Sequence, residues 1–189
     1  SDLRALLAAN APHLEDGGPL GSPAYQRWVA KKRKERQQSV ARVVTSDATE
    51  DHSQGPIFHL VVRTGEQEQT ALKVTLTTLS SQTYRNFVVS VVGNLAEPQW
   101  VSGVVNAANL RWICIAPGEN WQRALNRCVA EVEADWVALL HPGDRLDDRL
   151  LATCARHIEK EGDWQFLYTD NDLHDGRGGR YAPAFKPDI

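Results

Sequence analysis

From Pro56 onward the chain alternates short apolar runs with amphipathic stretches, the pattern left by strands and helices in turn. Ile57–Val62 (IFHLVV) reads as a strand. Leu72, Leu76 and Leu79 then recur at helical spacing through TALKVTLTTLSSQ, and Phe87–Val92 (FVVSVV) returns as a second strand. A polar loop containing Trp100 leads to a third, Arg111–Ile115 (RWICI). Trp121, Leu125, Cys128 and Val132 fall on one face of a helix, and Trp136–Leu140 (WVALL) forms strand four. The next helix turns Leu151, Cys154 and Ile158 inward, with Asp147 and Asp148 at its positive N-terminal end. Phe166–Tyr168 (FLY) reads as the last strand. Strands alternating with helices predict an α/β fold, a mostly parallel sheet covered on both faces.

Residues 1–55 differ from the remainder, being rich in Ala, Gln, Lys and Arg, and read as a helical N-terminal extension ending in a polar linker, TSDATEDHSQG. Tyr25, Trp28 and Val29 can anchor one helical face. The basic run Lys31, Lys32, Arg33, Lys34 and Arg36 reads either as a solvated helix end or as a contact for an anionic membrane surface or a partner domain. The expected organisation is therefore an extension over 1–55 and a core domain over 56–189. At 189 residues there is room for one substantial core, and 42% hydrophobic with 24% charged residues excludes wholesale disorder. A net charge of -3 supplies no general field for nucleic acid. No apolar window approaches the roughly 20 residues of a membrane span, and no signal-peptide pattern opens the chain, so the expected location is cytoplasmic, including the inner face of a membrane. Cys114, Cys128 and Cys154 are odd in number, lack metal or redox spacing, and are expected to be reduced core residues. The chain begins with Ser, contains no Met and stops on Pro187, Asp188 and Ile189, and so reads as a piece of a longer polypeptide.

Two acidic turns carry the candidate chemistry. WVALL runs into HPGDRLDD, and FLY runs into TDND before the chain ends in YAPAFKPDI. Side chains beyond the carboxyl ends of parallel strands line the crevice where open α/β sheets bind ligands. Sugar transfer from a nucleotide diphosphate requires the departing diphosphate to be neutralised, usually by a divalent cation held on carboxylates, and a base for the accepting hydroxyl. Asp144, Asp170 and Asp172 are carboxylates of that kind, and hard cations prefer such oxygen ligands.

With these residues the stretch Pro56–Ile189 resembles the family 2 glycosyltransferases. The similar places are SSQTYRNFVVSVVGN, ENWQRALNRCVAEVEADWVALL, the HPGD turn, and YTDND with GRYAPAFKPD; AYQRW is similar to an element that precedes the catalytic domain in a bacterial subgroup. The resemblance implies a Rossmann-like GT-A three-layer sandwich, truncated at its C-terminus. It also implies a nucleotide diphosphate sugar as donor, a glycan or lipid-linked acceptor, and a divalent cation, Mn2+ or Mg2+. The family's catalytic base and acceptor-binding part lie downstream of the matched region, in the rest of the parent polypeptide.

The departures are equally specific. Gly93 and Asn94 stand where the family has an acidic residue after its second strand, and His141, Pro142, Gly143 and Asp144 stand where it has an aspartate-rich metal turn. His141 with Asp144 remains an acceptable pair for manganese; the plain alternative is a tight turn shaped by Pro142 and Gly143, with Asp144 capping the following helix. Thr64, Gly65 and Glu66 lie where the family places a nucleotide-binding loop, Glu66 being the candidate for base or ribose. Asn126 matches a recurrent helix Asn expected to bond the crevice backbone, and Lys186 matches the lysine of Phe-Lys-Pro-Asp. Asp170 and Asp172 face either ligand or their own turn-rich loop. His174 and Asp175 read as loop residues, and Arg177 and Arg180 as either diphosphate contacts or solvated loop residues. Two function classes follow: a nucleotide-sugar-binding portion of a transferase of bacterial surface polysaccharide, or a degenerate domain kept as a scaffold. A dinucleotide-dependent enzyme is disfavoured because no G-x-G-x-x-G follows strand one.

Overall fold

In the computed structural model the described residues are 23–43, 55–106, 109–161, 164–175 and 179–184. The elements in chain order are α1 (Pro23–Val43), β1 (Phe58–Thr64), α2 (Gln69–Ser80), β2 (Phe87–Gly93), β3 (Leu110–Cys114), α3 (Trp121–Ala130), β4 (Trp136–Leu140), α4 (Leu150–Glu161), β5 (Asn171–His174) and β6 (Arg180–Ala184). They divide into two units: residues 51–165, which hold the main sheet, and residues 1–50 with 166–189, which hold α1 and the β5–β6 hairpin.

The main sheet has the order β3-β2-β1-β4 with every pair parallel, a Rossmann-like arrangement in which the first strand is central. The near-continuous apolar runs of β1 and β2 agree with their interior places, where strands are flanked on both sides. Helix α3 covers one face: Ala124 and Cys128 pack with Val61 of β1 and Val92 of β2, and Ile113, Leu125 and Val129 border the cluster. Leu72, Leu76 and Leu79 of α2 are wholly buried, each contributing on the order of 2 kcal/mol of transfer free energy. At the amino ends of the strands, Ile57 donates to Asp135 Oδ2 (2.7 Å) while its carbonyl accepts from Asp135 and Trp136 (3.0 and 3.1 Å), lashing β1 to β4. Tyr84 closes the same end, its hydroxyl donating to the Pro56 carbonyl (2.8 Å) and its ring meeting Phe58 edge-on. Burial pushes that phenol up to about 12.

A polar group is sealed inside this core. His59 on β1 is 0% exposed; its Nε2 meets Ser90 Oγ at 2.8 Å and Cys128 Sγ at 3.8 Å, while Nδ1 has no hydrogen-bond partner. Burial, and secondarily the charge of Arg111, pushes its pKa down.

Three sequence expectations are corrected. Phe166–Tyr168 is not a strand: it is irregular, with Phe166 72% exposed, and the pairing falls instead on β5 and β6, which are antiparallel. Turn chemistry decided this, since Asp175 Oδ1 accepts from Gly179 N (2.8 Å) and the Asp175 amide donates to the Gly179 carbonyl (3.1 Å), closing a hairpin across the glycine-rich segment. Cys114 is exposed, because β3 is an edge strand whose last residue leaves the core, whereas Cys128 and Cys154 are buried; all three are free thiols. The sheet is not covered on both faces along β4, where Val137 is 47% and Leu139 56% exposed, since β4 is the opposite edge. No helix among the described residues is long and apolar enough to cross a membrane.

Candidate functional site

The carboxyl ends of the parallel strands deliver several of the candidate residues to one end of the sheet. Thr64 ends β1 rather than following it, and lies opposite Gly93; Leu140 lies opposite Val62. The chain leaving β1 passes through Gly65 into a short 3-10 turn, Glu66–Glu68, that leaving β2 through Asn94, and that leaving β4 through His141–Asp144. Thr64 is buried, while Glu66 and Asn94 are exposed. Glu68 shapes the first loop: its carboxylate accepts from the Gly65 amide at 2.7 Å, a fold-back that the sequence reading missed although the Gly-x-x-Glu spacing carried it.

Gly93 has a steric reason. A Cβ at this position would lie 2.1 Å from the Thr64 carbonyl oxygen and 2.9 Å from Thr64 Cγ2. The close approach of β1 and β2 thus leaves no room for a side chain at Gly93, whereas Asn94 beside it is exposed.

The His141–Asp144 turn is built from both of its ends. Asp144 Oδ2 accepts from the His141 amide (2.7 Å), and the Asp144 amide donates to the His141 carbonyl (3.1 Å). Asp144 therefore caps its own turn and not the following helix; at α4 that part falls to Asp147, whose Oδ1 accepts from Arg149 N (3.2 Å) and whose carbonyl accepts from Leu150 N (3.0 Å). Gly143 takes a left-handed φ of 99°, open to glycine at little steric cost.

Helix α2 supports this loop with polar side chains on its buried side. Thr75 Oγ1 accepts from Gly143 N (2.9 Å) and lies 3.2 Å from the His141 carbonyl; Thr78 Oγ1 accepts from Leu146 N (3.2 Å). Gln82, just past the helix end, donates to the Asp147 carbonyl (2.6 Å) and accepts from Leu151 N (3.2 Å). Thr75 and Gln82 are completely buried. The sequence reading missed this row, though its signal was present: Thr75, Thr78 and Gln82 keep helical spacing beside Leu72, Leu76 and Leu79.

At the start of α3 the cap is Asn120, whose Oδ1 accepts from Gln122 N and Arg123 N (2.9 and 3.3 Å). Asn126 lies on the exposed side of the helix, roughly opposite the buried Ala124 and Cys128. The Arg63 guanidinium sits 4.6 Å over the Trp121 ring, tying the end of β1 to the start of α3.

In the other unit, Asp172 stands on β5 and accepts from the Tyr25 hydroxyl of α1 (2.7 Å), with Arg180 Nε 3.4 Å from the same oxygen. The Gln26 side-chain amide donates to the Arg180 carbonyl. Tyr25 and Val29 are buried and Trp28 stacks on Tyr25, the helical face the sequence picked out. Burial first, and the Asp172 hydrogen bond second, raise the Tyr25 phenol well above its ordinary range. Asp170 is exposed in the irregular segment before β5. His174 and Asp175 fall at the end of β5 and in the hairpin rather than in an open loop. On α1, Lys31 and Lys32 pair with Glu35 at 3.8 and 3.1 Å, as a solvated helix face would. Lys186 and Arg177 lie outside the described residues.

Among the described residues, no three His, Cys, Asp or Glu side chains gather into a group able to hold a metal ion. Within the sheet unit His141 and Asp144 offer two ligands at most, and one oxygen of Asp144 is already engaged by an amide. These two residues alone do not make a divalent-cation site.

No family model matches the chain. It is 27% identical over 173 residues to the O-antigen biosynthesis protein RfbC of Myxococcus xanthus, a match that takes in 87% of this chain and 13% of that protein. The chain thus spans about an eighth of the length of the curated relative it matches. Among solved structures it is similar to S. aureus TarS 1-349, with a TM-score of 0.46 and 18% identity over 55% of this chain and 32% of that one. It is also similar to the mannosyltransferase PcManGT from Pyrobaculum calidifontis in complex with GDP-Man and Mn2+, with a TM-score of 0.42 over 60% of this chain and 34% of that one. The comparisons report likeness over part of each of these proteins. They do not extend to a metal motif.

Proposed function

We propose that the chain is the nucleotide-sugar-binding portion of a family 2 glycosyltransferase that builds bacterial surface polysaccharide, working at the cytoplasmic side of a membrane. The observation that carries this reading is the convergence of the β1, β2 and β4 exits at one end of a parallel sheet ordered β3-β2-β1-β4, in a chain similar along most of its length to an O-antigen biosynthesis protein. In this reading the donor is a nucleotide diphosphate sugar. The loop after β1 (Thr64, Glu66), Asn94 and the His141–Asp144 turn are the sheet unit's candidates to meet it; Asp170, Asp172 and Lys186 are candidates by the sequence resemblance alone. Asn126 supports the passage into β4. Transfer to a glycan or lipid-linked acceptor, and the base for it, belong to the parent polypeptide, so this chain alone binds without turning over.

A divalent cation, Mn2+ or Mg2+, would neutralise the leaving diphosphate in the parent enzyme. Since His141 and Asp144 do not suffice as its ligands, the sheet unit by itself meets the nucleotide through its loop amides and polar side chains.

A second reading is favoured by two particular observations. The Asp144 carboxylate is folded back on His141, and Gly93 has no room for the acid that the family carries there. Both are what a degenerate domain, kept as a scaffold in a larger protein, would display.

Melting temperature measured with uridine, guanosine and thymidine diphosphates, each with and without manganese, separates the two. A ligand at about 100 times its Kd adds about 2.7 kcal/mol to the folded state, a rise of several degrees. Such a rise with one nucleotide, diminished in Asp144→Ala, supports donor binding. No rise with any of the three leaves the scaffold.

A further inference from the structure

We propose that Thr75 is the positioning residue of the His141–Asp144 turn, setting through one hydroxyl the direction in which that turn presents its side chains. The inference rests on the donor reading above for its consequence, though not for its geometry.

The turn leaves β4 with His141 and Asp144 exposed to solvent, so burial does not fix where those side chains point. Two constraints do so here. One is internal, the Asp144 carboxylate on the His141 amide. The other comes from α2: Thr75 Oγ1 accepts from Gly143 N at 2.9 Å and lies 3.2 Å from the His141 carbonyl, so a single atom reaches both sides of the turn. Gly143 N also donates to the Ala71 carbonyl one helical turn earlier, at 3.1 Å. Thr75 is completely buried and β-branched, so its χ1 is held by packing and its hydroxyl is aimed before any ligand arrives. The left-handed φ of Gly143 is what lets that amide turn towards the helix. Thr78 on Leu146 N, and Gln82 on Asp147 and Leu151, hold the next residues in the same way, so α2 serves as a template for the whole passage from β4 to α4.

The test compares Thr75→Val, which keeps shape and removes the hydroxyl, with Thr75→Ser, which restores the hydroxyl. Val101→Ala serves as a control that loosens a buried site with no bond to the turn. Two quantities are read on the 189-residue chain: exchange of the Gly143 amide proton by NMR, and affinity for uridine diphosphate by calorimetry. Loss of one hydrogen bond predicts about a fivefold faster Gly143 exchange in Thr75→Val, with Thr75→Ser and Val101→Ala at the wild-type rate. Affinity is expected to fall about fivefold in Thr75→Val and to return in Thr75→Ser. Wild-type Gly143 exchange in Thr75→Val overturns the assignment, as does unchanged affinity beside faster exchange. If Gly143 responds as expected but the wild-type chain binds none of the nucleotide, the hold of Thr75 on the turn is upheld and the donor reading is what fails.

Discussion

Restoring the acid that the family resemblance leads one to expect after β2 should break the protein rather than improve it. At Gly93 a Cβ would lie 2.1 Å from the Thr64 carbonyl oxygen, 2.9 Å from Thr64 Cγ2 and 3.0 Å from the Thr64 carbonyl carbon. Ordinary non-bonded contacts between heavy atoms are near 3.5 Å, so about 1 Å of movement is needed. Two of the three obstructing atoms are backbone, and they belong to a buried residue at the end of a strand held in register over its whole length. Rotamer changes cannot relieve this; the strands must part at their tips. Overpacking of this kind costs typically 1–3 kcal/mol, and the backbone clash puts Gly93→Ala near the upper end, about 3 kcal/mol. At about 3 °C per kcal/mol for a chain of this size, the melting temperature falls by about 10 °C. Gly93→Asp adds an unpaired carboxylate and falls further. Gly103 is the control, because nothing lies within 4 Å of a Cβ there, and Gly103→Ala should stay within about 1 kcal/mol of wild type. Thermal unfolding followed by circular dichroism reads all three. A Gly93→Ala protein that melts with the Gly103→Ala control, or a Gly93→Asp protein that binds uridine diphosphate more tightly than wild type, refutes the steric account.

Buried His59 makes stability depend on pH. Its pKa is depressed in the folded state, so its stability contribution is complete above the unfolded value of about 6.5 and is lost as pH falls from there towards the folded value. Urea titrations at pH 7, 6 and 5 should show a decline approaching about 1.4 kcal/mol per unit below pH 6.5, flattened in His59→Leu; equal slopes in the two proteins would dismiss the idea. Tyr25→Phe removes a hydroxyl bonded to a carboxylate and should loosen α1 by about 1.5–3 kcal/mol, read as faster hydrogen exchange over Pro23–Val43; unchanged exchange would show that the aromatic contacts alone hold the helix. Ala182 has a φ of 46°, a strained value for an L-residue, so Ala182→Gly should gain about 1 kcal/mol in denaturant unfolding, and a loss would mean that the methyl group makes contacts outweighing the strain.

The strands and helices of the sheet unit were legible because burial imposes a period on sequence. IFHLVV and FVVSVV read as buried strands and the leucines of α2 as its inward face, and β1, β2 and α2 form there. Where the period failed, a local interaction outranked it. FLY is as apolar as the real strands, yet the ladder formed where Asp175 and Gly179 could close a hairpin. Exposure at β4 and at Cys114 was equally hidden, since an edge strand and a central one differ in their neighbours and not in their composition.

The site residues were less legible, and for a single reason: the sequence marks which groups can bind, whereas only geometry reveals which are already engaged. Asp144 and Asp172 read either as ligand-facing carboxylates or as cap and turn residues, and each has a protein donor at 2.7 Å, the His141 amide in one case and the Tyr25 hydroxyl in the other. The residues that decide the shape of the turn, Thr75, Thr78 and Gln82, carry no charge and belong to no binding motif. A ligand reaching Asp144 must replace the amide bond on Oδ2 or accept the carboxylate through its other oxygen. The second course leaves the turn intact, because Thr75 holds Gly143 independently of Asp144. An Asp144→Asn chain should therefore keep the turn, its side-chain oxygen still accepting from His141, while losing the charge. If Asn at this position weakens nucleotide binding as much as Ala does, the carboxylate contributes by charge; if Asn binds as wild type does, Asp144 acts only through the shape it gives the loop.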